Sequence, residues 1–427
     1  MLKNFRNFLL CVISICSACA FGNQHSQPSL QDLQNRVTAL EQSPTRPVGS
    51  CASNGYGVIF FAEPLYWRVQ EDGLDYAIRG RYELITEGSA TTPFFRLNLT
   101  KGEVVHPDVE WKWGFRVGIG YFLPYDGWDL TSKWTRFHNS ASDEISQTGN
   151  PNPNDLINFG NGNGIGSYIS PFWVAQLFDP PGLVTRARAR WHYKLDIIDL
   201  DLGREFFISR RLSLKPILGM RTAWVKQKFN VLYQKNNHSD PTGPTGNAEG
   251  IERTMHVRMK NDFWGIGAKV GLNTRWFLGK GFSLYGNGAL SVLDGYFDLC
   301  YQLHDDKPEA TTATTLTIGP NVAGLISPPY DDRYKTEKDI HSIVPIVDLG
   351  AGLRWDKSFS NDRFCLSIWL GYDYTIFFQQ NRFMNHQYDF TLLNFTQNPQ
   401  YSEGPNFFTD RGNLTTSGAS GGLKFDF

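Results

Sequence analysis

The chain has 427 residues, 14% of them aromatic and only 19% charged, with 41 glycines and a formal net charge of −1. So even a charge balance gives no electrostatic reason to expect nucleic acid as a partner. The length would serve about two or three ordinary domains, yet no shift of composition follows residue 50, which favours one large unit.

The N-terminus reads as an export signal over residues 1–20: Lys3 and Arg6 are followed by an apolar run from Phe8 to Ile15 and by the small-x-small site Ala18-Cys19-Ala20. A lipoprotein signal is the lesser reading, because Cys16 stands three places before Cys19, where an aliphatic residue is expected. No later segment approaches the ~20 apolar residues of a membrane helix, so any crossing of a bilayer must use strands. Cys51, Cys300 and Cys365 remain after cleavage, an odd set that leaves at least one thiol free or paired between chains. Histidines are scattered without metal-ligand spacing, and neither a metal nor another cofactor is expected.

Residues 21–50 read as a periplasmic coiled-coil helix and linker. In "SLQDLQNRVTALEQ" (29–42), Leu30, Leu33, Val37 and Leu40 fill a, d, a and d of two heptads, with Arg36 at g and Glu41 at e. The string from Arg36 to Glu41 resembles the short Arg-h-x-x-h-Glu motif of three-stranded coiled coils, where h is apolar, so a homotrimer is expected. Two heptads are marginal alone, and the rest of the chain would have to hold three copies together. A helix lying on its own domain is the plainer alternative. "QSPTRPVGS" follows as a stiff linker.

From about residue 51 to Phe427 the pattern is strand-like. "EWKWGFRVGIGY" alternates without a slip, with Trp111, Trp113, Phe115, Val117, Ile119 and Tyr121 on one side and Lys112, Gly114, Arg116, Gly118 and Gly120 on the other. "FWGIGAKVGLNTRW" sets Trp264, Ile266, Ala268, Val270, Leu272 and Trp276 against a face holding Lys269 and Arg275. "LSIWLGYDYTI" repeats it with Leu366, Ile368, Leu370, Tyr372, Tyr374 and Ile376. Aromatics near strand ends suit the girdles of a lipid-facing barrel better than the buried middle of a sandwich.

Connections alternate in length. "LPYDGW", "ISRRLS", "FLGKGF" and "DKSFSNDRF" are short polar turns, separated by long Asn/Gly/Pro-rich stretches at roughly 139–184, 233–250, 301–340 and 396–417. That asymmetry belongs to an outer-membrane barrel with its long loops outside the cell. The expected fold is therefore all-β, a transmembrane antiparallel barrel of about 12–18 strands over residues 51–427 in the bacterial outer membrane. Phe427, Phe425 and Leu423 share one face of the last strand, which resembles the signal read by the barrel assembly machinery.

The stretches "EPLYWRVQEDGLDYAI" (63–78), "WKWGFRVGIGYFLPYDGWDL" (111–130), "DLDLGREFFISRRLSLKPILGMR" (199–221) and "NDFWGIGAKVGLNTRWFLGKGFSLYGNGALSVL" (261–293) resemble the Legionella-type major outer membrane protein family, whose members are related to chlamydial porins. The similarity runs from about residue 56 to the end, between the long loops. It implies a closed outer-membrane barrel and passive diffusion through a water-filled pore.

In "TRARARWHYKLDI", Arg186, Arg188, Arg190, His192 and Lys194 share a face. Lipid exposure of such residues costs up to ~2–4 kcal/mol each at the midplane, so they must line the lumen or stand above the membrane. With Lys112, Arg116, Lys269 and Arg275 they are the expected pore-lining set, and as a group would give a weak preference for anions. Asp196, Asp199, Asp201, Glu205 and Asp373 are placed to neutralise them. A change of apolar phase between Ile197 and Ile198 predicts a bulge or turn there. The expected function is a porin for small hydrophilic solutes and ions. A structural or adhesive surface barrel without an open pore is the alternative. An outer-membrane hydrolase fits poorly, because Arg190 and Lys194 beside His192 supply no nucleophile. The glycines of 160–166 and the pairs Asp305-Asp306 and Asp331-Asp332 read as loop and solvated charge.

Overall fold

The computed structural model describes residues 57–89, 92–123, 127–146, 165–173, 184–237, 251–306, 331–359, 364–388, 405–409 and 412–427. The export signal and the coiled-coil residues Leu30, Leu33, Arg36, Val37, Leu40 and Glu41 lie outside them.

Sixteen strands and no helix occur among the described residues. They begin with β1 (Gly57–Glu71), β2 (Ala77–Ser89), β3 (Thr92–Val105), β4 (Lys112–Phe122), β5 (Trp128–Ser146) and β6 (Ile165–Pro171). β7 (Arg186–Arg204), β8 (Phe206–Ser209), β9 (Leu212–Asn237), β10 (Ile251–Gly279) and β11 (Phe282–Asp306) follow. The last are β12 (Asp331–Phe359), β13 (Phe364–Asn381), β14 (Met384–Tyr388), β15 (Pro405–Thr409) and β16 (Gly412–Asp426).

Ten strands close into a ring in the order β1, β4, β5, β7, β9, β10, β11, β12, β13, β16, and the short β8 pairs with β9 alone. Every pairing is antiparallel, and the ring shuts where Phe60 lies opposite Phe425. The amide of Val58 donates to the Phe427 carbonyl at 2.8 Å, so both ends of the barrel chain meet at one rim. All four short turns read from the sequence lie at that rim. The opposite rim carries the long connections, which contain the three-stranded sheet β3-β2-β6 and the hairpin β14-β15. By the usual asymmetry of such barrels it is the outer rim.

Ten wall strands replace the 12–18 expected. The expectation assumed strands about ten residues long, the length that crosses a bilayer, whereas β10 and β12 each run 29 residues and β9 runs 26. Stretches read as loop, such as 139–146, 301–306 and 331–340, continue wall strands beyond the membrane.

Alternation decides which face meets which medium. On the exterior stand Trp113, Ile119, Leu218, Met220, Val270, Leu290, Leu349 and Leu370, with Trp113 at 70% and Leu370 at 68% exposure. A continuous apolar belt of this kind is far larger than a soluble monomer exposes, and acyl chains cover it. Phe427 stacks with Phe60 at a centroid distance of 5.8 Å, and Phe425 with Phe364 at 6.0 Å, so the terminal aromatic face seals the inner rim.

Strand β7 shows a second feature. Ala187, Ala189, Trp191, Tyr193, Leu195, Ile197, Asp199 and Asp201 all point inward and are buried. Its pairings with β5 and β9 hold one register from end to end, so the bulge expected at Ile197/Ile198 is absent. What changes there is the chemistry of each face. Above that level the interior is apolar and the exterior charged. Below it, Ile198 and Leu200 face outward to lipid while the carboxylates face in.

Candidate functional site: the barrel lumen

The inner half of the lumen holds charges that meet in pairs. Arg116 reaches Glu63 at 2.6 Å and Asp373 at 3.3 Å, and its guanidinium lies 5.5 Å from the ring centroid of Trp67. Arg221 donates to both Asp199 oxygens, at 2.6 and 3.0 Å, and to Asp348 at 2.5 Å. Lys269 bridges Asp199 and Asp201 at 3.0 Å each, and Lys133 takes Asp201 at 2.8 Å. Nearer the inner rim, Arg275 holds Glu205 at 2.5 Å and Asp356 at 3.1 Å, Arg354 holds Asp356 at 2.7 Å, and Lys215 holds Asp129 at 2.6 Å. Each cation named here has a carboxylate, which is the condition for burying charge without a prohibitive desolvation cost. A cavity of about 160 Å³ remains among Arg116, Lys133, Arg221, Lys269, Asn273 and Asn287.

The outer half holds an apolar core among the described residues. Three chain segments fold into it: 72–77 after β1, 169–173 at the end of β6, and 379–384 after β13. They bring Leu74, Tyr76, Ile169, Trp173, Phe383 and Met384 into one apolar core with the inward side chains of the wall. Trp173 meets Phe229 edge-on at 6.2 Å, and Phe229 meets Phe383 at 5.9 Å. Polar tips hold the segments: Tyr233 Oη donates to the Tyr76 carbonyl at 2.5 Å, and Tyr301 Oη to the Trp173 carbonyl at 2.9 Å. Trp173 Nε1 donates to the Asp75 carbonyl at 2.5 Å, and Asn381 Nδ2 to that of Asp72 at 2.5 Å.

Of the residues expected to line a pore, Arg116, Lys269 and Arg275 face the lumen within this paired network, and Lys112 shares the inward face of β4 and pairs with Glu110 at 2.8 Å. Arg186, Arg188, Arg190, His192 and Lys194 do not line it. They point away from the barrel axis, because the alternate positions Ala187 to Leu195 are packed into the core. The physical reason is height: they stand above the acyl-chain region, where the outward face is the wet one. Among the expected neutralising groups, Asp199, Asp201, Glu205 and Asp373 do pair with lumen cations, whereas Asp196 faces outward, 3.8 Å from Arg136. Sequence reading missed Lys133, Lys215, Arg221 and Arg354, although each alternates with outward neighbours as Lys269 does. It also missed the plug, whose signal was the aromatic cluster "ISPFWV" inside a stretch read as loop. Cys300 is a free thiol.

The sequence model described as "Legionella pneumophila major outer membrane protein precursor" matches residues 49–427. The chain belongs to that family. With the lipid-facing belt, membership places the protein in the bacterial outer membrane. No curated protein matches it by sequence. Among solved structures it is similar to the outer-membrane protease OmpT of Escherichia coli, at 7% identity and a TM-score of 0.32, covering 88% of this chain and 98% of that one. It is also similar to a Pseudomonas aeruginosa FadL homologue, at 10% identity and a TM-score of 0.18, covering 87% and 90%.

Proposed function

We propose that this family member is a passive channel for small hydrophilic solutes and ions, held shut in the described conformation by its aromatic plug. The observation that carries the reading is the polarity of the plug's own surroundings. Both side-chain amide atoms of Gln380, Asn261 Oδ1, Tyr193 Oη and Glu71 Oε2 are buried with no hydrogen-bond partner among the described residues. Each such group costs on the order of 1–3 kcal/mol, and a conformation that hydrates the lumen relieves the cost. Below the plug, the paired charges and their cavity supply a polar path toward the inner rim. An anion preference is no part of this proposal, since the five residues that motivated it face outward. Neither is any catalysis. Trimerisation through the heptads of 29–42 is part of it.

A second reading, a structural or adhesive barrel without an open pore, is favoured by the apolar core itself. Planar-bilayer recording separates the two. Wild-type protein should open rarely, and Trp173→Ala or Phe383→Ala should open far more often, because each removes a ring from the apolar core inside the outer half of the barrel. Correctly folded wild type and variants that all fail to conduct would replace the channel with the structural barrel.

A further inference from the structure

The exterior of β7, β9 and β10 carries a cluster of cations unlike those of the lumen. Arg190, His192 and Lys194 on β7, Lys226 and Lys228 on β9, and Arg258 on β10 are all exposed, and none has a carboxylate within ion-pair distance among the described residues. The register sets Lys194 directly opposite Lys226 and His192 opposite Lys228. Like charges placed opposite each other on one face of a sheet destabilise it. The two nearest carboxylates are already engaged: Asp196 accepts from Trp134 Nε1 at 3.2 Å, and Asp262 holds Lys260 at 3.2 Å. Asp262 of β10 also lies directly opposite Lys226, so the uncompensated positive charge is concentrated between β7 and β9, at His192, Lys194 and Lys228.

Its height says which anion. Trp134, Trp224 and Trp264 face outward just below, with Trp224 opposite Trp264 and Trp134 opposite Ile198. Such a tryptophan row marks the membrane–water interface. Lys194 and Lys226 come two residues above Asp196 and Trp224, about 7 Å further along the strands, the level of lipid headgroups. Directly beneath lie Ile198, Leu200, Leu218 and Met220, exposed to acyl chains. The patch is one-sided: along the same level β7 and β9 present Lys194 and Lys226, whereas β10, β11 and β12 present Asp262, Asp298 and Asp339.

The geometry points to a binding site for a phosphorylated lipid of the outer leaflet, with its phosphate on Lys194, Lys226 and Lys228 and its chains on the apolar strip below. Charge-assisted bonds to phosphate satisfy the opposed lysines, and a two-tier surface selects an amphiphile over a free anion.

Full-length protein folded in micelles, titrated with diphosphoryl lipid A and read by native mass spectrometry, tests the assignment. The arms are lipid A, its dephosphorylated form and inorganic phosphate, each against wild type and K194Q/K226Q/K228Q. The single change K226Q is a milder second variant, and K112Q a control cation outside the patch. Heat-modifiable gel migration reports folding in every case. The triple variant should bind diphosphoryl lipid A roughly a hundredfold more weakly, from about a fivefold loss per lysine at an anionic surface. K226Q should fall between, K112Q should match wild type, and the dephosphorylated lipid should not distinguish the proteins. Equal lipid A binding by wild type and the folded triple variant would overturn the site, as would wild-type affinity that ignores the phosphates. Inorganic phosphate competing as strongly as the lipid would replace it with a simple anion site.

Discussion

Asp199 is the member of the lumen network whose removal should be felt most. Its side chain is 8% exposed and accepts from Arg221 Nε, Arg221 Nη2 and Lys269 Nζ at 2.6, 3.0 and 3.0 Å. Deleting one partner of a buried pair costs about 3–5 kcal/mol when the other charge is left alone. Here neither cation is abandoned, since Arg221 keeps Asp348 and Lys269 keeps Asp201. Asp199→Ala should therefore fall at the lower end, a loss of about 3 kcal/mol. Reversible urea unfolding in lipid vesicles, followed by tryptophan fluorescence, should show the midpoint fall by roughly 1–2 M. Glu103→Ala, which removes the exposed Arg79–Glu103 pair, should change stability by less than about 1 kcal/mol. A cycle with Lys269→Met should give a coupling of at least ~1 kcal/mol, because the double variant no longer leaves that ammonium short of charge. A midpoint for Asp199→Ala indistinguishable from wild type would refute the account of a tightly desolvated network and imply a lumen wet enough to screen it.

Other outcomes follow from separate features. The inner turn holds Gly279, Lys280 and Gly281 at φ values of 111°, 53° and 85°, and a Cβ on Gly281 would meet the Asp356 carbonyl oxygen at 2.3 Å. Gly281→Val should then cost on the order of 1–3 kcal/mol in the same unfolding assay. Phe427→Ser removes the ring stacked on Phe60 and should lower the fraction of heat-modifiable barrel recovered from outer membranes. Leu33→Asp places a charge at a d position and should shift cross-linked trimer toward monomer while the barrel still folds.

The wall was legible wherever lipid imposed its own pattern. Trp111 to Tyr121, Trp264 to Trp276 and Leu366 to Ile376 could be assigned outward from alternation because only one medium accepts an unbroken row of large apolar side chains. The inward face was legible on the same strands, and Arg116, Lys269 and Arg275 point inward with it. Arg186 to Lys194 misled for a stated reason: alternation gives two faces but not which is inside, and a charged face is lumenal below the membrane rim and exterior above it. The same ambiguity turned a real change of apolar phase at Ile197/Ile198 into an expected bulge that the continuous register does not contain. Strand number suffered because periodicity does not mark where the bilayer stops. The plug was hard to read because Trp173 and Phe383 find partners such as Phe229, Asp75 and Tyr301 far along the chain, through contacts no local window contains.

The exchange of chemistry between the faces at Ile197/Ile198 makes one continuous wall answer to two solvents, and the two parts should differ in their thermodynamics of unfolding. The outer part hides its apolar core from water, so opening it should raise the heat capacity in proportion to the apolar area newly wetted. The part within the bilayer hides little from water, since its apolar side chains already lie in hydrocarbon, and its strands cannot separate there without leaving backbone N–H and C=O groups unpaired. Calorimetry in vesicles should therefore show a heat-capacity step that reports almost solely on the outer part. Cooling should weaken that part first, while the lipid-embedded ring of strands persists.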